Sequence, residues 1–263
     1  MLEVLRVASL IGEDFPAEII AMVLGMNPLE LIQRMNTGLV AKGRLISELG
    51  FRQVGEFRLS QYGFTHGLFQ RYFYESLGSA ERAYLHERVA SIIEEMYQGL
   101  PEELASASSR LAWHFEKAGR AEKAVDYLLM AGSQAAHSGA SEDALAHFQR
   151  GLELLPRLTN RQSRQSKEMA LRLAICAPLQ SLRGYTHPDV RAAYQRVKAL
   201  SAQAHEKMGL LPTLYWLRTF HHTREDRQNP CWPPCKSGVP IATFAQTSCR
   251  RRCSRICSGP RLV

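Results

Sequence analysis

The chain has 263 residues, 45% hydrophobic and 22% charged, which is enough material for one large core or two modest ones and has the balance of an ordinary globular protein. No apolar run reaches the length of a membrane span, and the opening MLEVLRVASLIGEDF lacks the basic leader and small-residue cleavage site of a signal peptide, so the expected location is cytoplasmic. The formal net charge of +8 suggests nucleic acid, but it is unevenly placed: residues 1–98 carry 9 Lys/Arg against 12 Asp/Glu (9 − 12 = −3), residues 99–220 carry 16 against 11 (+5), and residues 221–263 carry 8 against 2 (+6). A duplex-binding surface needs clustered cations, and the first stretch offers none.

Residues 1–98 read as three short helices and a hairpin. Val4 to Ile11 form the first helix, ended by Gly12, and Pro16 opens a second containing Ile19, Ile20 and Val23 and closed by Gly25. Asn27 caps a third, with Pro28 at its first position, running to about Val40 on a stripe of Leu29, Ile32, Met35 and Leu39. Two short strands, Arg44–Arg52 and Glu56–Tyr62, are expected to join at Gly55, with Leu45, Ile46, Phe51, Phe57 and Leu59 covering one side of the small core. Three helices and a two-stranded wing make a winged-helix-like module. Its third helix offers Glu30, Gln33, Arg34 and Asn36, with Lys42 and Arg44 beyond, so DNA contact is the alternative reading, favoured if Gln33, Arg34, Lys42 and Arg44 share a positive face.

Thr65 is placed as the cap of a helix from His66 to about Leu77, with Leu68, Phe69, Phe73 and Leu77 inward, and a further helix carries Leu85, Val89, Ile92, Ile93 and Met96 to its end at Gly99 and Pro101. His66 and His86 are read as packing and hydrogen-bonding residues rather than metal ligands, because no acid or cysteine recurs at a fixed offset from them. The aromatic run Tyr62, Phe64, Tyr72, Phe73 and Tyr74 suits a core.

Residues 99–220 alternate helices with glycine turns. The expected helices are Leu104–Lys117, Ala121–His137 and Ser141–Leu155, turning at Gly119 and Gly139, where GRAEKA and GASEDA echo each other. Against a 34-residue period from Val125 to Thr159, Gly132, Ala144, Phe148, Gly151 and Pro156 fall where a tetratricopeptide unit places small, small, aromatic, small and proline. Trp113, Phe115, Gly119 and Ala124 join them as the helix-packing residues. One such unit cannot bury its own apolar face, so neighbours must stack on it. Thr159–Lys167 is a linker or a first helical turn, a helix with Met169, Leu171, Leu173 and Leu179 follows, and Pro188 opens another with Val190, Ala193, Tyr194, Val197 and Leu200. A last helix near Gly209, with Leu210, Leu211, Leu214, Trp216 and Leu217, has no successor to cover it, so self-association is expected. The fold class is mainly α: a winged-helix-like module followed by an α-α superhelix of tetratricopeptide-like hairpins.

Near residue 221 the helical period stops, and five of the chain's twelve prolines and five of its six cysteines follow. Three readings fit residues 221–263: a zinc site on Cys231, Cys235, Cys249, Cys253 and Cys257 with help from His221 or His222, a basic RNA- or membrane-binding tail through Arg250, Arg251, Arg252 and Arg255, or a frame-shifted, disordered tail. The three-residue gaps between cysteines are wider than those of most zinc pairs, and the abrupt change of composition favours the last.

In order and spacing, residues 1–220 resemble the region after the nucleotide-binding domain of bacterial STAND-type signalling ATPases, among them predicted ATPases fused to adenylate or guanylate cyclase domains and large transcriptional activators. The likeness rests on Val4–Gly12 with Phe15, Phe64-Thr65-His66, Tyr74–Leu77, Leu85-His86, Leu111–Phe115 with Ala118-Gly119, Lys123-Ala124, and Gly184-Tyr185 with Pro188. The chain has no phosphate-binding loop and no cyclase domain. The resemblance implies that residues 1–98 couple nucleotide state to the rest of such a protein and that the helical array senses a partner or ligand. A protein-interaction and signal-relay fragment is therefore expected, with a protein partner or the missing nucleotide-binding domain as its contact and with neither nucleic acid nor membrane. No Gly-x-Ser-x-Gly elbow or His-Glu-x-x-His motif occurs, so no enzyme activity, cofactor, metal or catalytic residue is expected.

Overall fold

A computed structural model describes residues 1–41, 44–184 and 187–204. It is mainly helical, with a small open antiparallel sheet near the N-terminus followed by a run of packed helices: a winged-helix-like module and a helical solenoid. The first elements are α1 (Leu2–Ile11), β1 (Asp14–Pro16), α2 (Ala17–Leu24) and α3 (Pro28–Arg34), the last continued by a wider π-helical stretch over Met35–Val40. The Asn27 side chain accepts from the backbone N–H groups of Leu29 and Glu30, and Pro28 takes the first helical position, where its missing N–H costs nothing. Strands β2 (Ile46–Val54) and β3 (Phe57–Phe64) form the wing hairpin, and the sheet order is β1-β3-β2.

Strand β2 lies two residues further along than the sequence suggested, and β3 begins one residue later and ends two later. Arg44 adopts a left-handed conformation (φ 47°), which no strand accommodates, so extension begins only at Ile46. The register slips between Glu48 and Gly50, and this bulge explains the imperfect alternation of the hairpin. The expected core face is also corrected: Ile46, Leu59 and Val54 are buried, whereas Phe51 and Phe57, in the half of the hairpin beyond the bulge, are exposed, Phe51 lying under the Arg58 guanidinium at 3.8 Å. Strand β1 was not anticipated, since three residues carry no legible period. Its Phe15 is buried against Tyr62 and Phe64. From α2, the Glu18 carboxylate accepts from both the N–H and the hydroxyl of Ser60, each at 2.8 Å, and so clamps helix to sheet. Leu29 faces outward, and Leu31 rather than Leu29 shares the buried stripe with Met35 and Leu39.

Two helices leave the module: α4 (Gly67–Glu75) and α5 (Ser79–Met96). His66, not Thr65, caps α4, its Nδ1 accepting from Leu68 N–H, while the Thr65 hydroxyl donates to the carbonyls of Arg44 and Leu45. Phe73 and Leu77 are inward, but Leu68, Phe69 and Tyr72 are exposed, a second correction: only one side of α4 lies against α1.

The solenoid comprises α6 (Pro101–Lys117), α7 (Ala121–His137), α8 (Ser141–Leu154) with a 3-10 turn at Leu155–Arg157, α9 (Arg161–Arg183) and α10 (Pro188–Ala204). Thr159–Lys167 divides between a cap and a helix, with the Asn160 side chain accepting from Gln162 and Ser163 N–H at the start of α9. The echoing glycine turns share one hydrogen-bond pattern. Gly119 and Gly139 take left-handed φ of 75° and 83°, and the next N–H reaches back five residues, Arg120 to Phe115 O and Ala140 to Ala135 O. This closure satisfies a carbonyl at the helix end, and it needs a residue without a Cβ at the turn. One buried apolar cluster runs from Val4 to Ile175 without a break at residue 98. The expectations for Lys42, Tyr185, Thr186, the helix near Gly209 and residues 221–263 fall outside the described residues.

Candidate functional site

A buried polar pair lies where α5 meets α6, the joint between module and solenoid. His86 on α5 and His114 on α6 are both buried, and their Nδ1 atoms are 2.9 Å apart. One proton serves both nitrogens. The assignment that strands least has His114 donating from Nδ1–H, which leaves only a lone pair on its buried, unpartnered Nε2. His86 then accepts at Nδ1 and carries its proton on Nε2, directed at the Tyr74 hydroxyl 3.4 Å away. Burial is the chief reason both imidazoles stay neutral. It pushes His86 down to about 4, helped by Lys117 and Arg82, and His114 down to about 3, helped by His86 and Arg110.

Trp113 closes the cluster from outside. Its ring stands edge-on to His86 (centroids 4.8 Å apart, 88°) and to His114 (4.9 Å, 76°), yet the side chain is 40% exposed. The residue expected simply to pack helices thus also presents indole to solvent. Arg82 lies 5.0 Å over the Tyr74 ring. Arg82, Arg110 and Lys117 form no ion pair among the described residues, and the Nε atoms of Arg82 and Arg110 are buried without a partner.

The wing tip completes the joint. Gly55 (φ 53°) sits so close to Leu100, in the α5–α6 loop, that a Cβ there would meet the Leu100 side chain at 2.7 Å. Arg52 reaches Glu103 at 3.6 Å. The wing is therefore seated on the start of the solenoid.

The other sequence-derived packing residues fall on the solenoid's inner seams. Phe115 is buried and stacks on Tyr127 (5.5 Å, 8°), with the Lys123 ammonium 4.8 Å from its ring centroid. Ala124 and Ala144 are fully buried, Gly119 makes its turn, and Pro156 lies in the turn after α8. Gly132 is where α7 meets the Phe148 ring: a Cβ there would lie 2.4 Å from Cε1. Helices two apart are also tied by polar pairs that sequence reading missed. Glu94 on α5 accepts from Lys123 Nζ (2.6 Å) and Tyr127 Oη (2.7 Å) on α7, Glu87 pairs with Arg120 at 2.8 Å, and Glu116 on α6 takes the Arg150 guanidinium of α8. The separations of 33 or 34 residues for Glu87–Arg120, Glu94–Tyr127 and Glu116–Arg150 match the repeat length, so the period was legible here in charge as well as in size.

Among the described residues no three His, Cys, Asp or Glu side chains converge as a metal site, and no helix is long and apolar enough to cross a membrane. No protein-family model matches the chain, and no curated protein or solved structure matches it.

Proposed function

We propose that this chain is a non-catalytic protein-interaction and signal-relay module, a portion of a larger STAND-type ATPase regulator. The observation carrying this reading is the joint at α5–α6. A relay needs two parts so coupled that displacing one is felt by the other. Here the wing seats on Leu100 and Glu103, and the module's His86 shares a proton with the solenoid's His114. The family assignment draws its support from the sequence resemblance, above all Leu111–Phe115 with Ala118-Gly119.

The DNA-binding alternative has less support. On α3 the Arg34 guanidinium is engaged by Glu30 at 2.5 Å, and Asn36 accepts from the Tyr62 hydroxyl, so two of the candidate reading groups are already occupied.

Amide hydrogen exchange in rising denaturant tests the relay reading. The expected result is one cooperative opening shared by α1, the wing and α6–α8. A module that opens at much lower denaturant than the solenoid would be mechanically independent of it, and the relay reading would fail.

A further inference from the structure

Between the wing and α6 runs an open groove of about 560 Å³ lined by Arg52, Ser106, Ser109, Arg110 and Trp113. The four α6 residues stand at i, i+3, i+4 and i+7, one face of the helix, and Lys117 continues that face by one more turn. We infer that this groove binds a short acidic segment of a partner protein, with Arg52 and Arg110 taking its carboxylates and Trp113 an apolar side chain between them. The inference rests on the protein-interaction reading above and names the partner's chemistry.

Charge is the first argument. Arg110 forms no ion pair among the described residues and its Nε is buried without a hydrogen bond, while Lys117 forms no ion pair either, its charge acting on the adjacent Glu116. Arg52 pairs with Glu103 at 3.6 Å, longer than a hydrogen bond, and is half exposed, so a partner's carboxylate competes with Glu103 for its planar fork. The Ser109 hydroxyl donates to nothing among the described residues.

Trp113 supplies the second argument. A tryptophan 40% exposed but fixed edge-on by two imidazoles is a pre-organised anchor. Tryptophan and arginine together are the commonest makers of binding hot spots. Rigidity matters because little side-chain entropy is lost when a partner covers the ring.

Size and sign narrow the ligand. An open groove cannot enclose most of a small molecule's surface, as small-molecule sites do. A long polyanion is disfavoured because Glu102 and Glu103 open α6 beside the groove and residues 1–98 carry net charge −3 (9 − 12). The segment that fits has two acidic residues flanking one apolar residue.

The test is selection of a displayed random peptide library on the full chain, followed by fluorescence anisotropy of the best labelled peptide. Peptides with Asp or Glu flanking an apolar residue are expected. Arg110→Glu should weaken binding by about tenfold or more, Arg52→Glu likewise, and replacing the peptide's acid with lysine should restore binding to Arg110→Glu. Trp113→Phe, which keeps an aromatic ring in place, should weaken binding less than Trp113→Ala. Peptides that bind equally well to wild type, Arg52→Glu and Arg110→Glu would overturn the groove assignment and leave the interaction reading standing. No enrichment over the heat-unfolded chain would overturn both. Displacement of the peptide by oligothymidylate at equal concentration would make the groove a nucleic-acid site and overturn the acidic-peptide assignment.

Discussion

The Nδ1 atoms of His86 and His114 stand 2.9 Å apart, buried, with three cations around them and, among the described residues, no carboxylate in contact. Neither imidazole gains a proton easily there, since each is held down first by burial and then by neighbouring positive charge: Lys117 and Arg82 for His86, His86 and Arg110 for His114.

This arrangement makes the fold acid-sensitive in a defined window. The folded-state values, about 4 and about 3, lie below the ordinary 6.5, so below pH 6.5 the unfolded chain binds protons that the native chain refuses. Stability is fully present well above pH 6.5 and falls as pH drops toward 4, by on the order of 1 kcal/mol per pH unit for each histidine. Urea midpoints between pH 6.5 and 5 measure it, above the range where Glu116, lowered from 4.5 chiefly by its Arg150 hydrogen bond, begins to contribute. His114→Phe should halve the slope, leaving His86 as the one titrating member. A midpoint constant from pH 7 to 5 would mean that the pair is not buried as described.

Gly132 is expected to resist even one added methyl group. Its missing Cβ leaves room for the Phe148 ring, which is itself buried and has nowhere to retreat. Gly132→Ala should destabilise by about 1–3 kcal/mol through overpacking, despite a helix-propensity gain of roughly 1 kcal/mol. Phe148→Leu in the same chain should recover part of the loss, so a double-mutant cycle should be non-additive. Gly151→Ala makes the contrast, because there the Cβ meets only the tips of the Leu171 side chain at 2.9 Å, and a smaller cost is expected. A rise in midpoint for Gly132→Ala would show that propensity outweighs the contact.

Much of this fold was written in local signals. The Asn27-Pro28 start, the Gly119 and Gly139 ends and the Pro188 opening each act within one helical turn, so the residues that set them are adjacent in sequence. What sequence reading missed depends on distance. Leu68, Phe69 and Tyr72 look like core residues until it is known which side of α4 meets α1, and Phe51 and Phe57 until it is known how far along the hairpin the module covers the sheet. The site was less legible than the fold. His86 and His114 are 28 residues apart on different helices, and nothing near either one announces the other. The groove pairs Arg52 of the wing with Arg110 of α6 and becomes visible only once the wing is seated.

The tie between α5 and α7 separates a charge effect from a hydrogen-bond effect. Glu94 serves a partly exposed Lys123 and a buried Tyr127 whose hydroxyl is pushed upward, first by burial and then by its bond to Glu94. Glu94→Gln keeps an acceptor for Tyr127 and loses only the ion pair, so a cost of about 0.2–1 kcal/mol that shrinks in high salt is expected. Glu94→Ala strands the buried hydroxyl as well, adding about 1–3 kcal/mol. Adding Tyr127→Phe to Glu94→Ala should recover most of that addition. Equal costs for Gln and Ala would show that the hydroxyl finds water instead.

Cys176 tests how closely α9 is packed. Its thiol is buried, its Sγ–H is directed at the Arg172 carbonyl at 3.3 Å, and burial pushes its pKa up to about 12. Alkylation needs the thiolate and a path to it, so at pH 8 the native chain should leave Cys176 unmodified by iodoacetamide. In denaturant the same residue should react at the rate of an ordinary thiol, and peptide mapping keeps it apart from the five cysteines between residues 231 and 257. The native rate then reports how often α9 opens, since modification must wait for that event. Glycine at 151 leaves room for the Leu171 side chain, so Gly151→Ala should quicken Cys176 modification more than it lowers the global midpoint. Prompt native labelling of the wild-type chain would mean that α9 does not cover this thiol.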